Sequence, residues 1–257
     1  MEAGLPPGVL NIVFGVPSEV SEYLCSSNIP RKLSFTGSVP VGKHLQKLAA
    51  ENMIRCTMEL GGHSPLMVFN DTDIEKAAQI SVAGKFRNAG QVCVSPTRFL
   101  VQDDIKDKFT QAVIEETNKI KVGNGLEDDT NMGPLIAERR IDVMNDFVKD
   151  AIDNGANIEM GGNRMNRVGS FFSPTVMTGV DDSSKIMNEE PFGPLLPIDT
   201  FKSVEEVIDR ANRLDFGLAS YAFTNNPKII DNLRSEIQAG LLAVNSTVVS
   251  TPETPFG

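Results

Sequence analysis

The 257-residue chain contains three cysteines, two histidines, two tyrosines and no tryptophan. Cys25, Cys56 and Cys93 form no CxxC pair, which excludes a disulfide framework, and the isolated His44 and His63 spell no zinc motif. No metal is expected. Basic residues are the minority, 24 Lys and Arg against 34 Asp and Glu, and the resulting charge of −10 repels a nucleic-acid backbone or an anionic membrane surface. No apolar run approaches the roughly 18 residues of a membrane span, and the opening Met-Glu-Ala-Gly-Leu-Pro-Pro has neither the basic nor the apolar stretch of an export signal. The expectation is a cytoplasmic protein with no nucleic-acid or membrane partner.

What remains is a composition 40% hydrophobic and 23% charged, inside the globular range, arranged as short apolar strands alternating with amphipathic helices. That alternation predicts an α/β fold with a mostly parallel sheet. Strands are predicted at residues 9–14, 32–36, 54–60, 66–69, 99–101 and 241–245. Helices are predicted from the 3.6-residue spacing of Val41, Leu45, Leu48 and Ala49, of Ile74, Ala77, Ala78, Val82 and Phe86, of Ile105, Phe109, Ala112, Val113 and Ile120, and of Ile141, Met144, Phe147, Val148 and Ala151. Ser203 with Glu206 three residues on reads as a capping box, and Asn226-Pro227 as another helix start. The pair Gly61-Gly62 marks the expected domain boundary, with domains at 1–60 and 61–257.

Several stretches carry chemistry-bearing residues. The turn from Phe35 to His44 has the GxxxxGK spacing of a phosphate loop in Gly37 and Gly42-Lys43, but His44 stands where a magnesium-binding hydroxyl is needed and Pro40 removes a backbone N–H. What survives is a helix N-terminus with Gly37 and Ser38, suited to a dinucleotide pyrophosphate or equally to an ordinary capped turn. Glu59 ends an apolar strand just before Leu60-Gly61-Gly62, where a carboxylate can serve as general base or simply face solvent. Cys93 lies in the Gly- and Pro-punctuated stretch 88–96, where a thiol can point into a cavity beside backbone N–H groups, while Cys25 and Cys56 read as inert core. Glu189-Glu190-Pro191-Phe192-Gly193-Pro194 sets carboxylates beside an aromatic ring in a rigid turn.

In order along the chain, LPPGVLNIVFG (5–15), FTGS (35–38), MELGG (58–62), FRNAGQVC (86–93), EEPFGP (189–194) and TPFG (254–257) resemble the motifs of the aldehyde dehydrogenase superfamily, and among its members the succinate-semialdehyde and related semialdehyde dehydrogenases. The resemblance implies an aldehyde dehydrogenase-like fold, with 1–60 the C-terminal part of a Rossmann-like NAD- or NADP-binding domain and 61–257 the catalytic domain. It implies Cys93 as the nucleophile that forms a thiohemiacetal and then a thioester, and Glu59 as the base that activates the hydrolytic water. Gly15, Gly37, Ser38, Leu60, Gly61, Glu190 and Phe192 become the cofactor-binding residues, and a homo-oligomer is implied. Arg87 is implied to bind the distal carboxylate of a short semialdehyde, since a guanidinium in an apolar tunnel needs an anionic partner.

Two departures from the family pattern stand out. Ser95 occupies the position where many succinate-semialdehyde enzymes carry a second cysteine, so no redox switch through that pair is expected. Met1 aligns with the interior of a family chain, so a fragment is expected, without the residues that read the adenosine ribose and without the C-terminal pairing segment. Weak cofactor reduction by the chain alone is therefore anticipated, with a catalytically silent interaction module and a thiol esterase as the alternatives.

Overall fold

The computed structural model describes residues 3–256, so Met1, Glu2 and the last glycine of the 254–257 motif lie outside the described residues. The chain forms two compact units, 1–60 and 61–257.

In the first unit, α1 (Pro17–Ser26) is followed by a parallel β-α-β motif of β1 (Lys32–Thr36), α2 (Val39–Glu51) and β2 (Arg55–Glu59). The strands run in register from Lys32 opposite Arg55 to Thr36 opposite Glu59. The strands carry alternating burial, and Cys25, Leu45, Ala49 and Ile54 supply the small buried core where α1 meets α2. The strand predicted at 9–14 does not form. These residues are irregular, and Val9, Leu10, Ile12, Val13 and Phe14 are exposed, Phe14 at 92%. An apolar segment becomes a strand only when a neighbouring strand takes up its N–H and C=O groups, and the β1–β2 sheet holds two strands alone.

The second unit is a seven-stranded sheet in the order β5-β6-β7-β4-β3-β8-β9, parallel except for the β5–β6 pair. Its strands are β3 (Ser64–Val68), β4 (Pro96–Gln102), β5 (Asn157–Met160), β6 (Thr175–Thr178), β7 (Leu195–Phe201), β8 (Ala219–Phe223) and β9 (Leu241–Val244). The helices are α3 (Ile74–Phe86), α4 (Lys106–Thr117), α5 (Arg139–Asp153), α6 (Val204–Asn212) and α7 (Pro227–Glu236). Strands β3, β6 and β8 are buried at every residue, as expected of parallel strands covered on both faces. The helix starts read from sequence at Ser203 and Asn226 form, and each of these side chains, like that of Asp73 before α3, accepts a backbone N–H of the first turn. Strand β4 is longer than the predicted 99–101. Helix α4 stops at Thr117, short of Ile120, and β9 ends at Val244 because Asn245 turns left-handed, with φ of 56°.

Arg98, on β4, is 1% exposed. Its guanidinium donates to the carbonyls of His63 (3.0 Å), Arg210 (2.8 Å) and Ala211 (2.9 Å), so one side chain closes the entry to β3 and caps the C-terminal end of α6. Arg210, whose own carbonyl is thus taken, pairs through its side chain with Asp182 at 2.8 Å and with Asp199.

Candidate active site

The candidate residues of the second unit meet because of strand order. Gly61-Gly62 leads into β3, Cys93 precedes β4 and Gly193 precedes β7, and β3, β4 and β7 are adjacent and parallel. Parallel neighbours present their amino ends at one edge, so three segments remote in sequence converge there. Contacts confirm the convergence. Gly62 N–H donates to Glu190 Oε1 at 3.2 Å. A Cβ on Gly61 would collide with the Glu190 carboxylate, and one on Gly62 with the carbonyl oxygen of Cys93. A Cβ on Gly90 would strike the carbonyl of Gly193. These glycines mark places where segments approach more closely than a side chain allows.

The segment that carries the thiol is strained. Asn88, Ala89 and Gly90 are all left-handed, with φ of 52°, 55° and 70°. Three such residues in succession reverse the chain out of α3, and Ala89 has no glycine-like freedom to do so. Gln91 holds the turn: its amide donates to the carbonyls of Asn88 (3.1 Å) and Pro134 (3.3 Å), and its Oε1 accepts from Ile136 N–H at 2.9 Å. Asn88 donates in turn to the Gln91 carbonyl at 3.0 Å. Cys93 emerges half-buried, and the Tyr221 hydroxyl of β8 donates to the next carbonyl, that of Val94. Burial raises the Tyr221 pKa, which keeps it a donor.

Arg87 ends α3 and lines a cavity of about 210 Å³ with Val92, Val94, Ser95, Thr247 and Val248. Its walls are mostly aliphatic, and among the described residues no carboxylate pairs with Arg87. Phe192 is also left-handed, with φ of 43°, and Arg140 of α5 donates to the carbonyls of Pro191 and Phe192 (the latter at 3.3 Å), fixing the loop on both sides of the strained residue. Arg213 anchors the same loop upstream through Asn188 Oδ1 (2.8 Å) and the Met187 carbonyl (2.7 Å). The pKa of Glu190 is raised by burial, against the Gly62 N–H and the charges of Arg140 and Lys85. Sequence reasoning missed Arg140, Tyr221 and Lys85. Only Lys85 had a visible signal, as a lysine three residues after Val82 on the apolar stripe of α3.

Within the first unit, Gly37, Ser38, Glu59 and Leu60 form one cluster. Gly37 N–H donates to the Glu59 carbonyl at 3.0 Å, and the Leu60 side chain fills the space over Gly42. Ser38 is the N-cap of α2, yet its hydroxyl makes no capping bond, which leaves both the hydroxyl and the first-turn N–H groups open to an anion. Gly15 stands apart, two residues before Pro17 at the start of α1. Among the described residues no cluster of three or more His, Cys, Asp or Glu could hold a metal, and no helix is long and apolar enough to cross a membrane.

The residues that carry this thiol turn and carboxylate loop lie within a chain that the aldehyde dehydrogenase family model matches over residues 1–257. The chain belongs to that family. It is 42% identical over all 257 residues to the mitochondrial succinate-semialdehyde dehydrogenase of Oryza sativa subsp. japonica, covering 49% of that protein. It is likewise 42% identical over 253 residues to the 4-(hydroxymethyl)benzenesulfonate dehydrogenase TsaD1 of Comamonas testosteroni, covering 98% of this chain and 52% of the relative. Among solved structures, an NADP-dependent enzyme of E. coli superposes with a TM-score of 0.98 at 38% identity, over 100% of this chain and 53% of that one. The chain thus spans about half the length of the relatives it matches.

Proposed function

We propose that the chain carries the thiol half of an NAD(P)-dependent dehydrogenase that oxidises a short aldehyde bearing a distal anion, with succinate semialdehyde as the type substrate. The observation that carries this reading is the mostly aliphatic cavity lined by Val92 and Val94, the residues on either side of Cys93, with Arg87, which pairs with no carboxylate among the described residues, in its wall. Arg87 is exposed, and its planar guanidinium fork suits a bidentate carboxylate or sulfonate. That the two relatives above are named for carboxylated and sulfonated substrates supports the anion and leaves its identity to experiment.

In this reading the Cys93 thiolate adds to the aldehyde carbon, and the turn at 88–90 fixes the angle from which it does so. Arg87 orients the chain of the substrate. Glu59 takes the proton of the water that releases the acyl group from sulfur as a carboxylic acid. The residues fit a nicotinamide dinucleotide: Ser38 and the open N-terminus of α2 for its pyrophosphate, with Gly15, Gly37, Leu60 and Gly61 supplying close backbone, and Glu190 and Phe192 for the nicotinamide ribose and ring. When bound, such a group supplies the two-electron acceptor.

The test is protection of Cys93 from alkylation, read by peptide mass spectrometry on the purified chain, with NADH and NADPH formation followed on the same samples. Succinate semialdehyde is expected to protect at concentrations about tenfold below those of butanal, and Arg87→Ala to erase the difference, a loss of one charge-assisted pair. Equal protection by the two aldehydes refutes the anion site. A p-nitrophenyl ester burst without aldehyde protection would mark a bare thiol esterase, and neither signal a silent module.

A further inference from the structure

We propose that Gln91 is a positioning residue for Cys93, and that the segment from Pro134 to Met144 is the brace against which it works. Gln91 stands two residues before the thiol and is 9% exposed. Its side chain bonds to backbone on every side: the amide donates to the carbonyls of Asn88 and Pro134, and Oε1 accepts from Ile136 N–H. The amide therefore fits in one orientation, with its donors toward two carbonyls and its acceptor toward one N–H. The bond to Asn88 closes the left-handed turn at 88–90 on itself, together with the Gln91 N–H, which donates to the same carbonyl at 3.1 Å. The other two bonds tie that turn to a segment beginning 43 residues further on. Three successive left-handed residues, two of them not glycine, persist only where the surroundings over-determine them. Gln91 supplies that determination on the side of the turn nearest the thiol.

The far end of the tether is itself fixed. Leu135, between the two backbone groups that Gln91 holds, is 3% exposed in the core, and its N–H donates to the Ser170 carbonyl at 2.9 Å. The same stretch runs on into α5, where Arg140 donates to the Pro191 and Phe192 carbonyls and Met144 fills the space over Gly193. One piece of backbone thus holds both left-handed turns of the site, that at 88–90 through Gln91 and that at Phe192 through Arg140. On its other side Cys93 is bracketed by the Ser95 N–H, which donates to the Val92 carbonyl at 2.9 Å, and by the Tyr221 hydroxyl on the Val94 carbonyl. Val92 alone separates the tether from the thiol, so a rotation released at Gln91 passes directly into the direction of Cys93 Sγ. Attack on a carbonyl carbon depends steeply on that direction, whereas binding of the substrate elsewhere in the cavity does not. This role rests on Cys93 as the nucleophile, as proposed above.

The experiment is acylation of the purified 257-residue chain by p-nitrophenyl acetate, followed as burst rate against ester concentration, with acylation at Cys93 and its alkylation by iodoacetamide read by peptide mass spectrometry. Gln91→Met keeps the length of the side chain and removes its polar contacts. It is expected to lower the limiting acylation rate about tenfold while the ester concentration at half-saturation changes by less than about twofold. A glutamine that only stabilised the fold would leave both values unchanged in the folded protein. Gln91→Glu separates the tether from the packing, and being nearly isosteric it keeps the test open should Gln91→Met fail to fold. Its carboxylate still accepts from Ile136 N–H but faces two carbonyls without a donor, whereas the protonated carboxyl donates again. Burial against those carbonyls lifts its pKa above the usual value of about 4.3. Relative to wild type at the same pH, acylation of Gln91→Glu is therefore expected to be slow at about pH 8 and to recover about threefold or more by about pH 5.5. Variants that match wild type in burst rate at every pH refute the tether while Cys93 keeps its role. A wild-type chain that is alkylated at Cys93 yet shows no burst removes the nucleophile reading and, with it, the role of Gln91.

Discussion

Gly61 and Gly62 are neighbours with opposite sensitivities, and substituting each by alanine tests how the thiol is placed. Neither glycine has a positive φ, so an alanine is conformationally allowed at both and any penalty is steric. At Gly61 the new Cβ meets the carboxylate end of Glu190, a flexible group that can swing aside. At Gly62 it meets the backbone carbonyl of Cys93 at under 3.0 Å, where ordinary contact begins near 3.4 Å. The carbonyl must retreat by at least about 0.4 Å, and the turn at 88–90 that carries it is already strained. Overpacking of this kind costs about 1–3 kcal/mol, offset by about 0.4–1 kcal/mol from the stiffer unfolded chain. For a unit of this size the net loss lowers Tm by about 2–8 °C. A displacement of 1 Å can cost about a hundredfold in rate, so acylation of Cys93 by a p-nitrophenyl ester should slow by about fivefold or more in Gly62→Ala. Gly61→Ala should leave both Tm and acylation near wild type while weakening whatever Glu190 binds. Calorimetry and intact mass spectrometry read the two effects. If Gly62→Ala matches wild type in both, or if Gly61→Ala is the more damaging to the thiol, the account of β3 bracing Cys93 is wrong.

Other consequences follow from the buried polar contacts. Arg98→Met strands the carbonyls of His63, Arg210 and Ala211 and uncaps α6, and should cost about 3 kcal/mol or more in urea unfolding; an effect under about 1 kcal/mol would refute the bracing role. Tyr221→Phe leaves the Val94 carbonyl without its donor and should cost about 1–3 kcal/mol while altering the Cys93 alkylation rate, both measured on one preparation. His63, held neutral by burial and by the charges of Arg98 and Lys85, has its pKa lowered to about 2. The unfolded chain therefore binds a proton that the folded chain refuses as pH falls from about 6.5 toward 2, and stability drops across that window with a slope of up to about 1.4 kcal/mol per pH unit. Thermal unfolding of His63→Asn against wild type should show a shallower acid slope in the variant, and parallel curves would exclude this contribution.

Much of the site is legible in the sequence because close backbone approach leaves glycine behind. Gly62, Gly90 and Gly193 stand inside the three motif stretches, and each is a point where a Cβ would strike another segment. Local spacing also announces most helices, since capping and one-sided burial are properties of consecutive residues. Segment 9–14 shows the limit of that logic. Its apolar run has strand character, but a strand is a pairwise object, and without a neighbour its side chains remain in solvent. Strands β6 to β8 escape prediction for the converse reason: burial on both faces of a parallel sheet removes most of the alternation that would reveal them, and β5, which does alternate, is only four residues long.

What sequence order could not supply is strand order. The motifs at 61–62, 88–93 and 189–193 become one site because β3, β4 and β7 are sheet neighbours whose amino ends share an edge, whereas in many open α/β sheets ligands gather at the carboxyl ends. Lys85 illustrates the same gap at the scale of one side chain. Helical spacing puts it on the buried stripe of α3, where a lysine reads as an anomaly with no stated cause. Burial lowers its pKa to about 7, and the carboxylate whose charge opposes that lowering, Glu190, comes from a segment 105 residues further on. The local pattern thus locates the exception, and the topology of the sheet accounts for it.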